Sequence, residues 1–239
     1  MSTVSESARP RRSDGAQTRA RLKAAAQRLF AARGIDGVTV RDLVAEAGQR
    51  NNASLSYYFG SKEDLARELI IDGATILDDR RRTMLAVLEG AGREPTVREV
   101  LDVLCAPVVE LSAEPSQASY LQMIANLELN DRAFVRDTLG DTWNFGYRRC
   151  VEHLLGLIPD VPRQILEQRI SLAVIYMNAV AAARERSLGA PGESRLWSTP
   201  YAMANLLDTI QAMLAAPPSE QTRAAAGLLD RHTDSDRNR

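Results

Sequence analysis

The stretch Thr39–Leu65, "TVRDLVAEAGQRNNASLSYYFGSKEDL", decides the fold. Thr39 stands three residues before Asp42, the spacing at which a hydroxyl and a carboxylate cap each other's backbone N–H groups at a helix start. It opens a short helix whose inward face is Val40, Leu43, Val44 and Ala47, and Gly48 ends it. A brief segment follows with Leu55 and Phe59 one turn apart, and it stops at Gly60. Ser61 with Asp64 forms a second capping box and launches a longer helix through Leu65, Leu69, Ile76 and Leu77. Upstream, Thr18 to Arg33 carries Leu22, Ala25, Ala26, Leu29 and Phe30 as an amphipathic stripe ended by Gly34. Residues 18–60 therefore read as three short helices, the second and third joined by a tight turn. That pair can bury little alone and has the outline of a helix-turn-helix, whose second member lies in the DNA major groove.

On the N-terminal side, residues 1–17 are polar and rich in Ser and Arg, which predicts a disordered basic arm. Residues 61–215 show no β-alternation of any length. Helical patterns run through Val97–Leu111, Ser116–Leu129, Asp131–Leu157, Arg163–Ser187 and Tyr201–Ala216, and Pro107 is expected to kink or shorten the first. The predicted fold is all-α. The arm (1–17) leads into a three-helix helix-turn-helix DNA-binding domain (18–64). A larger helical regulatory and dimerisation domain (65–216) and a polar C-terminal tail (217–239) follow, with one short helical turn expected near Ala224–Leu229.

The bulk composition agrees. Over 239 residues, 45% hydrophobic and 26% charged side chains fit a globular protein, and scarce aromatics beside plentiful alanine favour helix. The first residues have no apolar core and read as no secretory signal. The most apolar long run, Leu172–Ala183, is 12 residues and contains Asn178, short of the ~20 a membrane helix needs. A cytoplasmic protein with no membrane partner is expected. Net charge of -1 hides an asymmetry. Residues 1–62 hold 11 Lys and Arg against 5 Asp and Glu, and the other 177 residues hold 19 against 26. A basic front on an acidic body suits contact with nucleic acid.

Other chemistry is weakly marked. Cys105 and Cys150 are too few for a disulfide framework. His153 stands near Cys150 and Glu152 on a predicted helix, a pair that falls short of the three or four ligands of a zinc site. No phosphate-binding glycine loop, dinucleotide fingerprint, nucleophile elbow or H-E-x-x-H is present, so no catalytic residue, cofactor or metal is assigned. Asn52 lies in an N-x-S pattern, which is not a glycosylation site without a secretory signal.

Thr39, the Ala45-x-x-Gly48 turn, and Leu55, Tyr57, Tyr58, Phe59 and Lys62 together resemble the DNA-binding signature of the tetracycline-repressor (TetR) family of bacterial transcription regulators. The likeness covers roughly residues 18–66. Two departures stand out: commoner members read Leu-Tyr-x-His-Phe where this chain has Leu55-Ser56-Tyr57-Tyr58-Phe59, and the turn "QRNNAS" is one residue longer than in many relatives. Operator preference therefore does not carry over. With Leu55 and Phe59 inward, helical geometry sets Ala53 and Tyr57 outward and Ser54 and Ser56 on the flanks. One of Asn51 and Asn52 caps the helix and the other is free to read a base. Tyr58, at the family's His/Tyr position, and Lys62 are expected on phosphate. Thr39, Arg41 and Arg50 are expected at the DNA backbone, with Arg11, Arg12 and Arg19 adding non-specific attraction.

The resemblance implies a homodimer on a palindromic double-stranded operator, made through the two C-terminal helices. Interface candidates are Ile165, Ile170, Ala173, Tyr176, Val180, Tyr201, Leu206 and Ile210. It also implies a pocket among the middle helices, with Leu101, Leu104, Met123, Leu127, Phe134, Trp143, Phe145, Tyr147 and Tyr176 as candidates and a small apolar or amphipathic effector that releases the operator. Two alternatives stay open: an all-helical enzyme with a basic extension, and a DNA-binding protein without a sensor.

Overall fold

The computed structural model describes residues 11–140, 142–188 and 197–228. Among them every regular element is a helix: α1 (Arg11–Arg33), α2 (Val40–Glu46), α3 (Ala53–Phe59), α4 (Lys62–Glu89), α5 (Val97–Leu111), α6 (Tyr120–Asn130), α7 (Arg132–Leu139), α8 (Phe145–Leu157), α9 (Arg163–Leu188), α10 (Ala202–Ala215) and α11 (Glu220–Ala225), with a 3-10 turn at Pro115–Gln117. The first three helices close on Leu22, Ala25, Ala26, Phe30, Val38, Leu43 and Leu55, all buried together with Leu65 and Leu69 of α4. Each large side chain in such a set contributes roughly 1.5–3 kcal/mol by leaving water, which is what lets two seven-residue helices hold their place.

Several boundaries differ from the expectation. α1 starts at Arg11, so residues 11–17 of the expected arm are helical; Arg, Gln and Ala are good helix formers and outweigh the single Gly15. The rest of the arm, residues 1–10, lies outside the described residues. The second capping box is half formed: Ser61 Oγ accepts from Asp64 N–H at 3.0 Å, but the Asp64 carboxylate takes the Ser61 hydroxyl (2.7 Å). The predicted helix over 131–157 is two helices, because Gly140 takes φ 48 and turns the chain. Pro107 sits inside α5 without ending it. The tail's helical turn falls at Glu220–Ala225, capped by Ser219, and Leu229 lies outside the described residues.

In the body, α4 is surrounded by α5, α7 and α8, while α6 packs on both α1 and α9. Two glycines permit the closest approaches. A Cβ at Gly73 on α4 would lie 2.0 Å from the Tyr120 ring, and one at Gly146 on α8 would lie 2.7 Å from Arg81 Cβ. The 28-residue α4 runs without a break across the expected domain boundary at residues 64 and 65. The head is thus carried on a helix of the body.

Candidate nucleic-acid interface and interior cavity

Thr39 and Asp42 cap α2 reciprocally: Thr39 N–H and hydroxyl donate to Asp42 Oδ2 at 3.0 and 2.8 Å, and Asp42 N–H donates to Thr39 Oγ1 at 3.2 Å. The bonds from Thr39 hold the Asp42 carboxyl below its ordinary range. Gly48 ends the helix at φ 66, and Gln49 N–H reaches back to Val44 O at 2.9 Å. The turn to α3 is then set by Asn51, whose Oδ1 accepts from Ala53 N–H at 2.9 Å. Asn52 holds the N-cap position but makes no capping bond, and its side chain is exposed. The two asparagines therefore divide: Asn51 positions, and Asn52 is free.

On α3, Leu55 is 1% exposed and Tyr57 82%, the opposite faces that the helical period demands. Ala53 and Ser56 share the outward side with Tyr57, Ser54 is half-buried, and Arg41 and Arg50 are exposed nearby. Tyr58 is half-buried against the core. Its ring meets Tyr57 edge-on at 4.9 Å, and its hydroxyl lies 3.3 Å from where a Cβ on Gly15 would stand.

Two basic residues expected on DNA have internal partners. Lys62 Nζ donates to Ile35 O at 2.9 Å and Val38 O at 3.1 Å, tying the α1–α2 loop to α4. The ammonium gives Val38 O a partner and adds a second donor to Ile35 O, which already accepts from Val38 N–H at 3.2 Å. Arg19 lies over the Phe59 ring at 4.9 Å and pairs with Glu68 at 2.5 Å. Lys23 joins the same cluster through Glu68 and through Asp72 at 2.5 Å. Burial raises the Glu68 pKa, but the bonds from Lys23 and Arg19 outweigh it and hold the carboxyl below its usual range. The side chains of Arg11 and Arg12 lie outside the described residues.

In the body, a cavity of about 390 Å³ opens between α4, α5, α6, α7, α8 and α9. Of the predicted lining only Tyr147 reaches it. Leu101, Leu104, Met123 and Leu127 are fully buried core. Phe134 lies under the Arg67 guanidinium, and Phe145, with Arg82 over its ring, is still 48% exposed. Trp143 is half-buried in the α7–α8 connection, away from the lining, and Tyr176 borders a hollow between α9 and α10. The cavity wall is instead aliphatic (Ile70, Leu77, Ile124, Val135, Met177), with Tyr120, Arg81, Glu128, Arg132 and Arg136 among it. Apolar stripes were the wrong guide: Leu101, Leu104, Met123 and Leu127 on them are core, and among the aromatic candidates only Tyr147 lines the cavity. The arginine stems, which reach inward while their heads stay polar, are the signal that sequence reasoning missed.

The interface candidates also divide. Ile165, Ile170, Ala173, Leu206 and Ile210 face the chain's own core. Tyr176, Val180 and Tyr201 border the hollow between α9 and α10, with Trp197 and Thr209. The outward stripe of α9 is Leu172, Tyr176, Ala179 and Ala183, and Leu172 and Tyr201 are 53% and 63% exposed. His153 Nε2 lies 2.8 Å from Glu89 Oε1, while burial pushes the Cys150 thiol up to about 11. Among the described residues no three His, Cys, Asp or Glu side chains converge, and no helix is long and apolar enough to cross a membrane.

The sequence model of the bacterial regulatory proteins, tetR family, matches residues 22–69, the segment from mid-α1 to early α4. Two solved structures share the fold over most of the chain. One is the probable transcriptional regulatory protein RHA5900, 22% identical with a TM-score of 0.50 over 84% of this chain and 99% of that one. The other is PfmR, a TetR family transcriptional regulator from Thermus thermophilus, 17% identical with a TM-score of 0.51 over 81% and 97%. A comparison with curated proteins found no match.

Proposed function

We propose, on the premise that this chain is a DNA-binding transcription regulator of the tetR family and not an enzyme, that it binds a palindromic operator as a homodimer and is released by a small amphipathic molecule, which makes it a repressor. The observation that carries this reading is the α3 surface, where Asn52, Ala53, Ser56 and Tyr57 stand clear of the core above a buried Leu55. An adenine pairs bidentately with a free amide, and a thymine methyl packs on alanine. Arg41 in the first turn of α2 and Arg50 in the turn ahead of α3, both exposed, would meet flanking phosphates. Tyr58 serves chiefly to seat α3 on α1.

One such face covers too little of a groove for selectivity, and a symmetric pair reading two half-sites solves this. The outward stripe of α9, with the exposed Tyr201 ahead of α10, supplies an apolar surface for the pairing. The cavity supports the sensor role, since its volume falls in the range of small-molecule sites. Its α6 wall is also continuous with the head: Gln27 of α1 donates to the carbonyls of Gln117 and Ala118 at 3.1 and 3.0 Å, just ahead of Tyr120 in the lining. A guest that moves α6 therefore moves α1.

Footprinting the purified protein on DNA flanking its own gene tests the reading. One protected palindrome that a cavity-binding compound clears is expected. Equal affinity for unrelated duplexes, unmoved by any compound, would overturn it in favour of a DNA-binding protein without a sensor.

A further inference from the structure

On the reading that this cavity is where an effector binds, we propose the class of its guest: an organic monoanion, a carboxylate at one end of an apolar body, with the carboxylate held by Arg81. Arg81 is 7% exposed and lines the cavity. Its Nη2 donates to Leu104 O at 3.0 Å, next to the Val103 carbonyl that Pro107, lacking an N–H, leaves without its helical partner. Among the described residues its Nε finds no hydrogen-bond partner. A guanidinium stays charged even when buried, so this is a buried cation with an unanswered donor, a costly arrangement unless a guest brings an acceptor. Asp78 stands near but its oxygens are engaged, Oδ1 by Gly146 N–H at 2.6 Å and Oδ2 by Arg82 Nε at 2.7 Å.

The other polar lining points the same way. Arg132 and Arg136, on α7, have exposed side chains and stand at the mouth. With Arg81 they set three cations against the one carboxylate of Glu128. Glu128 Oε2 is itself buried without a hydrogen bond, 3.4 Å from Arg132 Nε. Burial raises its pKa against the pull of Arg132, which favours the protonated form, the one able to donate to a guest oxygen. A cationic guest would meet three guanidiniums, and a neutral alcohol would leave the Arg81 charge unanswered.

Octanoate, octylammonium and octanol each carry one straight alkyl chain, seven carbons in the first and eight in the other two, so the comparison of head groups works against octanoate by one methylene. Calorimetric titration of the full-length protein with each should rank octanoate tightest, by roughly tenfold or more. Arg81→Met should abolish that preference. Arg81→Lys, which keeps a charge without the Nε–H, should weaken octanoate and covers the case in which the methionine variant fails to fold, as judged by its thermal melt. Glu128→Gln should bind octanoate at least as well at neutral pH. The proposal is overturned if octylammonium or octanol equals octanoate, if both Arg81 variants bind octanoate like the unmodified protein, or if none of the three probes binds. DNA release is scored separately. Octanoate bound through Arg81 without DNA release would sink the effector role and leave the guest class standing. Release by another probe alone would do the reverse.

Discussion

Tyr57 and Tyr58 are adjacent, yet a rotation of about 100° along the helix gives them opposite surroundings: open solvent for the first, the α1–α3 seam for the second. Replacing Tyr57 by Ala is expected to leave the melting temperature nearly unchanged, since an exposed site costs within about 0.5 kcal/mol. In the same variant, operator affinity should fall by about 1–2 kcal/mol while random-DNA binding is retained. Asn52→Ala should behave alike, and Asn51→Ala should lower stability as well. A binding curve on matched and scrambled duplexes separates these outcomes. Lys62 sharpens the contrast. As a phosphate contact it would change mainly the salt dependence, but as the tie between two carbonyls and α4, Lys62→Met should cost roughly 1–3 kcal/mol in a denaturant melt.

At the scale of elements, the seam between α4 and its neighbours is tight. Gly73→Ala places a methyl into the Tyr120 ring, and overpacking of this kind costs about 1–3 kcal/mol. Trimming the ring in a Tyr120→Ala background should erase the extra penalty, which a double-mutant melt would reveal. The α1–α4 cluster responds to acid. Glu68 has its folded pKa held below the ordinary value of 4.5, so the stability it lends is present above that value and is lost as the pH falls through the folded pKa. Between pH 6 and 3 the unmodified protein should therefore lose more melting temperature than Glu68→Gln. Local signals of this sort were what the sequence could display. α5 spans Val97–Leu111, where the apolar pattern places it, and Leu55 and Phe59 marked the inward side of α3. The break at Gly140 was hidden because apolar residues recur on both sides of it and a positive φ leaves no mark on hydrophobic period. The cavity was hidden for a related reason: it is defined by side chains from six helices that meet only in three dimensions.

For the whole molecule, the proposed dimer makes a testable demand on α9. Leu172 is exposed in the single chain, so Leu172→Arg should barely affect folding. It should yield a monomer by sedimentation and cut operator affinity by about a hundredfold or more, because the second head loses its tether. An unchanged sedimentation coefficient would place the pairing surface elsewhere. The unbroken α4 has a mechanical corollary. At 28 residues and 1.5 Å per residue it is about 42 Å long, a stiff lever with the cavity along its shaft and the reading head at its tip. A tilt of only about 5° swings such a tip by about 4 Å, slightly more than the 3.4 Å rise of a base pair. Small-molecule occupancy would then match, in displacement, the rise added by inserting one base pair between half-sites, which in addition rotates one half-site by about 35°.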